Sequence, residues 1–446
     1  MLLDDIQLNP RIRSRAIRRI ALISEHASPL APPGSIDCGG QNVYVANLAR
    51  ELAQCGYQVD IFTRRDAIGQ HQVHRWRDNI RVIHVPAGPA HFIAKERMLP
   101  LMDEFARFVV RFTQRQGSLY DIVHANFFMS GMVAQQLRLA LGIPFVITFH
   151  ALGHVRRLAQ GVDDLFPPER LHIEDSLMRD ADRIIAECPQ DRQDMVQLYG
   201  ANPARIDVAP CGFDPQELWP VPVKPARQRL GLAQGRFIVL QLGRMVPRKG
   251  VDTVIESVAL LRRQYGIDAE LLVVGGGGGP GQRNDTPELA RLRALAASLD
   301  VGAEVQFTGR KNREELRYYY SACDAFVTTP WYEPFGITPV EAMACARPVI
   351  GADVGGIRST VVDGASGYLV PPRDPQAVAA RLATLHANPA LARSMGDEGM
   401  RRAYQHYTWR TVAQQAAAIY ARAAGDGLAL SNISHPEGGA DVRPTH

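Results

Sequence analysis

Six cysteines, at positions 38, 55, 188, 211, 323 and 345, include no C-x-x-C pair, so the chain carries neither a disulfide framework nor a cysteine-based zinc site. That spacing fits a reducing cytoplasm. No apolar run approaches the roughly 20 residues needed to span a bilayer, and Ile20-Ala-Leu-Ile23 is too short for a signal-peptide core and lacks a cleavage site. Net charge is also low: +4 over 446 residues argues against nucleic acid as the main partner. The local exception is Arg11, Arg13, Arg15, Arg18 and Arg19, which crowd the segment ahead of the first strand. They offer a weak contact with anionic lipid, but few large apolar residues accompany them, which favours a solvated extension.

What is present is an ordinary globular composition, 46% hydrophobic and 22% charged, in a chain too long for one core. Strand-like runs at 19–24, 58–62, 80–85, 121–124, 144–148, 183–186 and 206–208 alternate with helical stretches. A second series follows at 237–242, 271–274, 305–308, 324–329 and 348–353. This alternation predicts α/β architecture, two doubly wound parallel sheets with ligands at the carboxyl ends of their strands. Between the two series, prolines at 215, 220, 222 and 225 break the periodicity and mark a linker.

Several residues just after strands carry chemistry. Glu333 and Glu341 flank a helix start at which the backbone N–H groups of Phe335, Gly336 and Ile337 can bind oxygens of an anionic or sugar ligand. Thr338-Pro-Val-Glu341 fits a capping box equally well. Gly39-Gly40, between a strand and a helix, allows close approach of backbone to phosphate, although a bare glycine pair is usually just a turn. Arg244 and Lys249 flank a strand-to-helix turn and can neutralise a departing diphosphate, work that other folds give to a metal. Arg248, between them, reads as surface charge. His150 either hydrogen-bonds a sugar hydroxyl or caps its strand. Lys95, Arg97 and Arg170 can grip a phosphate, though each alone is more often a solvated charge.

Two patterns point elsewhere. Gly276, Gly278 and Gly281 spell G-x-G-x-x-G, but Pro280 and the polar run 282–286 delay the helix, and the next strand ends in Gly309-Arg310 rather than an acid. A flexible loop over the ligand fits better than a dinucleotide fingerprint. Asp180-Ala-Asp182 matches a metal-binding D-x-D, yet it lies at a helix-to-strand junction and reads as helix-end polarity.

The run W-Y-E-P-F-G-I-T-P-V-E-A-M-A-C from Trp331 resembles the signature of the retaining nucleotide-sugar glycosyltransferases of the GT-B fold, group 1 (family 4), which include the sucrose-phosphate synthases. Q-N-V-Y-V-A-N-L-A-R-E-L after Gly40 resembles the first-domain loop of sucrose-phosphate synthases, sucrose synthases and the mycothiol-pathway glycosyltransferase, and G-R-x-x-x-x-K-G from Gly243 resembles the family's pyrophosphate clamp. The similarity spans about residues 18 to 424. It implies two Rossmann-like domains facing across a cleft. Their expected bounds are a basic extension 1–17, an acceptor domain 18–215, a linker 216–235, a nucleotide-sugar domain 236–406, a helix 407–424 crossing back to the first domain, and a tail 425–446 disordered by composition.

The same resemblance implies roles. Glu333 lies by the transferred sugar, Glu341 binds the ribose, and Arg244 and Lys249 hold the diphosphate. His150 contacts the donor sugar, Gly39 and Gly40 face the donor across the cleft, and the region of Arg310 borders the base. Lys95, Arg97 and Arg170 bind an acceptor phosphate. The reaction so implied moves a hexosyl group, from UDP-glucose by expectation, to a phosphorylated sugar without a metal cofactor. Donor and acceptor are then its small-molecule partners. Inositol phosphate and lipid or polysaccharide acceptors are the alternatives, and Ala151, where the mycothiol enzyme has Thr, turns the expectation toward a hexose phosphate. An NAD-dependent oxidoreductase and a non-catalytic sugar-nucleotide sensor are rivals of other classes; the joint presence of Glu333, His150, Arg244 and Lys249 favours catalysis.

Overall fold

The structure, a computed structural model, describes residues 17–31, 39–276 and 286–425. Arg11, Arg13, Arg15, Gly278, Gly281, Pro280 and the tail from 426 lie outside the described residues. Strands numbered in chain order form two sheets. The first runs β3 (Val73–Arg77), β4 (Ile80–Val85), β2 (Gln58–Arg64), β1 (Arg19–Ile23), β5 (Ile122–Asn126), β6 (Phe145–Thr148), β7 (Arg183–Ala186), β8 (Ile206–Val208). The second runs β11 (Val305–Gly309), β10 (Ala269–Val274), β9 (Phe237–Leu242), β12 (Ala325–Thr328), β13 (Val349–Ala352), β14 (Gly367–Val370). Every pairing is parallel except β3 with β4.

Parallel strands covered by helices on both faces need apolar side chains throughout rather than in alternation. β1, β6 and β12 show this, being almost wholly buried along their length. β3 is the strand the sequence does not announce: Val-His-Arg-Trp-Arg lies on the sheet edge with no fully buried residue, and only Trp76 is half-buried against the core. The linker expected over 216–235 contains a helix, Val223–Leu230. Its Pro225 falls in the first turn, where a missing N–H costs nothing. Buried Arg227 ties it to the second half through the Ala322 carbonyl at 3.0 Å and Asp324 at 2.7 Å.

Strand order reverses once in each sheet, between β1 and β5 and between β9 and β12. Chain crossings leave in opposite directions there, so each reversal opens a crevice beyond the strand ends. The last helix, Trp409–Ala423, packs on the first half: Trp409 meets Tyr44 edge-on at 5.8 Å, and the Tyr420 hydroxyl bonds His124 Nδ1 at 2.7 Å. His124 Nε2 is taken by the Thr148 hydroxyl at 2.9 Å. Burial, with the nearby His150, pushes the His124 imidazole down to about 3, so it stays neutral.

Replacing Tyr420 by Phe strips a fully buried ring nitrogen of its partner. The expected loss is roughly 1–3 kcal/mol, read as a lowered midpoint in chemical denaturation; an unchanged midpoint means this contact does not hold the helix.

Candidate active site

Both crevices open into one cavity. From the first half it is lined by His26, Gly39, Gly40, Lys95, Phe127, His150, Arg156 and Glu187, and from the second by Arg244, Arg248, Lys249, Tyr332, Glu333 and the Pro334–Thr338 turn. The supporting strands explain the addresses: His26 lies beyond β1, Phe127 beyond β5, Arg244 beyond β9 and Glu333 beyond β12. Phe127 and His150 take positive φ, 91° and 57°, which bends the chain at the ends of β5 and β6. The described residues contain no cluster of three or more His, Cys, Asp or Glu that could hold a metal ion.

The floor on the second-half side is an ion pair between Lys249 Nζ and Glu333 Oε2. Two backbone positions set it. Gly250 sits at φ 66°, and a Cβ there would lie 2.0 Å from the Thr329 carbonyl oxygen, so only glycine lets the lysine turn close over β12. Gly355, at φ 45°, leaves 1.9 Å between a would-be Cβ and the Glu333 carbonyl oxygen, while Gly356 donates its N–H to that oxygen at 3.1 Å. Burial pushes the Glu333 carboxyl up, but Lys249, Arg248 and Arg244 together hold it below the ordinary range. Burial pushes the Lys249 ammonium down, Glu333 offsets part of that, and Arg248 and Arg244 push it further down. The Glu333 shift, downward against its burial, reports a local excess of positive charge, which suits a multiply charged anion.

Across the cavity, a Cβ on Gly39 would lie 3.9 Å from the Arg244 guanidinium carbon, and one on Gly40 3.7 Å from the Ile337 side chain. The glycine pair therefore faces the cation and the helix start of the other half. His150 reaches the wall with both ring nitrogens held, Nδ1 by Glu187 at 3.0 Å and Nε2 by Asn126 Oδ1 at 3.1 Å. Glu187 also accepts the Cys211 thiol at 3.0 Å; burial and this carboxylate push the thiol well up and keep it protonated.

Four expected site residues do not line the cavity. Arg170 is 1% exposed, bonded to Glu174 at 2.7 Å and to the Ala151 carbonyl, and boxed by the rings of Phe127, Phe128 and Phe166 at 4.9, 4.9 and 4.6 Å. It is a core cation and cannot grip a phosphate here. Arg97 is exposed on the turn Lys95–Arg97 and is not in the lining set. Arg310 follows β11 outside that set. Glu341 is 3% exposed and occupied by the Tyr320 hydroxyl at 2.7 Å and Arg313 at 3.3 Å. The capping box also fails: the helix Ile337–Ala344 starts from Gly336 with no side-chain cap bond. Asp180 and Asp182 hold the framework, Asp182 taking the Phe145 N–H at 2.9 Å and Arg138 at 2.6 Å.

The structure adds residues that sequence reasoning passed over. Arg248 lines the cavity rather than the surface. Arg156, paired with Asp164 at 2.9 Å and lying over Phe166 at 5.1 Å, stands on the wall where Arg170 was expected. His26 is oriented by Glu25 at 2.6 Å, whose other oxygen takes the Ser130 hydroxyl. His26, Phe127 and Glu187 each lie just beyond a strand, so the rule that singled out His150 contained them too. Nothing local distinguished Arg156 from Arg157.

The depressed Lys249 gives a pH test. Affinity of the unliganded protein for a nucleoside diphosphate is expected to fall with rising pH at a midpoint below the ordinary lysine value of 10.5, because the ammonium is lost early. Lys249→Arg should abolish that alkaline limb, since a guanidinium keeps its charge there. Calorimetric titrations across the alkaline range check both; a midpoint at or above the ordinary value rules out this lysine as the titrating group.

Residues 223–402 match the family model of glycosyl transferases group 1, and residues 39–212 match the glycosyl transferase 4-like domain. The chain is 36% identical to a D-inositol 3-phosphate glycosyltransferase of Kineococcus radiotolerans, over 97% of this chain and 100% of the relative. It is 34% identical to D-inositol 3-phosphate glycosyltransferase 2 of Catenulispora acidiphila, over 93% and 97%. Among solved structures, sucrose-phosphate synthase from Thermosynechococcus elongatus superposes with a TM-score of 0.82 at 34% identity, covering 90% of this chain and 98% of that one. The two parallel-sheet domains are the GT-B fold, and the chain is an enzyme belonging to the glycosyl transferases group 1 family.

Proposed function

We propose that this glycosyltransferase moves a hexosyl group from a nucleoside-diphosphate sugar, UDP-glucose in the first instance, to a small phosphorylated polyol or sugar, with retention at the anomeric carbon. The observation that carries this reading is the single cavity in which Arg244, Lys249 and Glu333 of one half face Lys95, Arg156 and His150 of the other. One wall suits a diphosphate and the other an anionic acceptor. The names of the curated relatives make D-inositol 3-phosphate the first acceptor to test. Hexose phosphate is the second reading, favoured by the sucrose-phosphate synthase similarity and by Ala151.

In this reading the anomeric C–O bond to the diphosphate breaks while an acceptor oxygen bonds to the same face of that carbon, and the acceptor proton passes to the departing diphosphate. Negative charge grows on the leaving group. Arg244, Lys249 and the N–H groups at the Gly336–Ile337 helix start stabilise it, because fixed donors in a water-poor site need no reorganisation. These cations supply the charge, so no step is routed through a metal. Glu333 fixes Lys249 and positions the sugar. The Glu187–His150–Asn126 chain holds the imidazole edge rigid on the cavity wall.

The test is release of nucleoside diphosphate from a panel of UDP- and ADP-sugars, with D-inositol 3-phosphate or fructose 6-phosphate as acceptor and products weighed by mass spectrometry. Acceptor-dependent release with a glycosylated phosphate product is expected; no release with any pair overturns the reading of the acceptor. Lys249→Ala and Glu333→Ala are each expected to cut turnover by about 100-fold or more in protein that melts cooperatively. Near-normal turnover in either variant removes that residue from the mechanism.

A further inference from the structure

We propose that Arg248 is a third ligand-binding cation of the cavity, taking a phosphate oxygen that Arg244 and Lys249 do not. This inference rests on the transfer reading above and names a residue beyond the two-cation clamp. Arg248 lies on the turn Pro247–Lys249, and its carbonyl accepts the Trp331 N–H at 2.9 Å, which fixes the backbone against the Glu333 loop. Its guanidinium lies 5.1 Å from the centre of the Tyr332 ring. The Tyr332 hydroxyl is in turn bonded by Gln160, at the end of the helix Gly153–Gln160 in the first half. Arg248 is thus held in place by an aromatic face that is itself anchored across the cleft.

One of its guanidinium nitrogens is unspent. Arg248 Nη1 is buried and has no hydrogen-bond partner among the described residues. A desolvated charged donor without an acceptor is costly, and such groups call for a ligand or ion. Arg170 Nη1 has the same deficit, but three phenyl rings enclose that guanidinium and Arg170 itself is not part of the lining. Arg248 instead lines the cavity, where its neighbours are Lys249, Glu333 and Tyr332. The lining holds five Lys and Arg side chains against two carboxylates, so an anionic oxygen enters a favourable field. An oxygen of the donor diphosphate and one of an acceptor phosphate present the same chemistry to a guanidinium.

The experiment compares wild type, Arg248→Met and Arg248→Lys for binding of UDP and uridine, and for KM toward a phosphorylated acceptor and its dephosphorylated counterpart. Methionine keeps an apolar stem over Tyr332, and a matched melting curve controls for folding. The expected result is UDP binding weakened by about tenfold or more in Arg248→Met, uridine binding unchanged, and partial recovery in Arg248→Lys. That result assigns the oxygen to the donor. Unchanged UDP binding with a KM raised about tenfold only for the phosphorylated acceptor also supports the proposal and assigns the oxygen to the acceptor. Wild-type binding of both ligands with neither parameter moved in Arg248→Met overturns this inference alone. Wild-type protein that binds no nucleoside diphosphate overturns the transfer reading and this inference with it.

Discussion

The pair Lys249–Glu333 is the constraint on which the cavity depends. Two half-buried opposite charges are stable only if each is held in place, and here the field is tilted to positive by Arg244 and Arg248. The tilt keeps Glu333 ionised. Geometry at the pair is set by backbone rather than side chain: Gly250 closes the lysine turn onto Thr329, and Gly355-Gly356 bring a helix start against the Glu333 carbonyl.

The opposite wall is built on different principles. His150, Glu187, Asn126 and Cys211 form a polar chain whose members spend their hydrogen bonds on one another. Such a chain holds a surface rigid. Nearby, Arg170 stabilises three aromatic rings from inside while Arg156 takes the cavity wall, paired with Asp164 and laid over Phe166. One arginine is structure, 1% exposed among three rings, and the other lines the cavity.

Much of the fold was legible because buried parallel strands are continuous apolar runs, and residues beyond their carboxyl ends are positioned by the fold. Glu333, Lys249, Arg244, His150 and the Gly39-Gly40 pair were singled out by such positions together with the family resemblance, and they meet in one cavity. The failures share a physical cause. β3 has no buried face and so no pattern, and the helix Val223–Leu230 hid behind prolines that its first turn accommodates. Glu341 matched a capping box by spacing, but Tyr320 and Arg313 offered its carboxylate stronger partners from a neighbouring helix.

Sequence alone determined the α/β alternation, the two-domain division of a chain this long, and the candidate residues tied to strand ends, because each follows from local periodicity and turn chemistry. Only the tertiary structure decided which cations face the cavity. Arg97, Arg170 and Arg248 look alike in sequence, yet one is exposed, one is boxed by aromatic rings and one stands beside Glu333. Burial and pairing of a long charged side chain are set by what distant segments bring to it, and no local pattern encodes that.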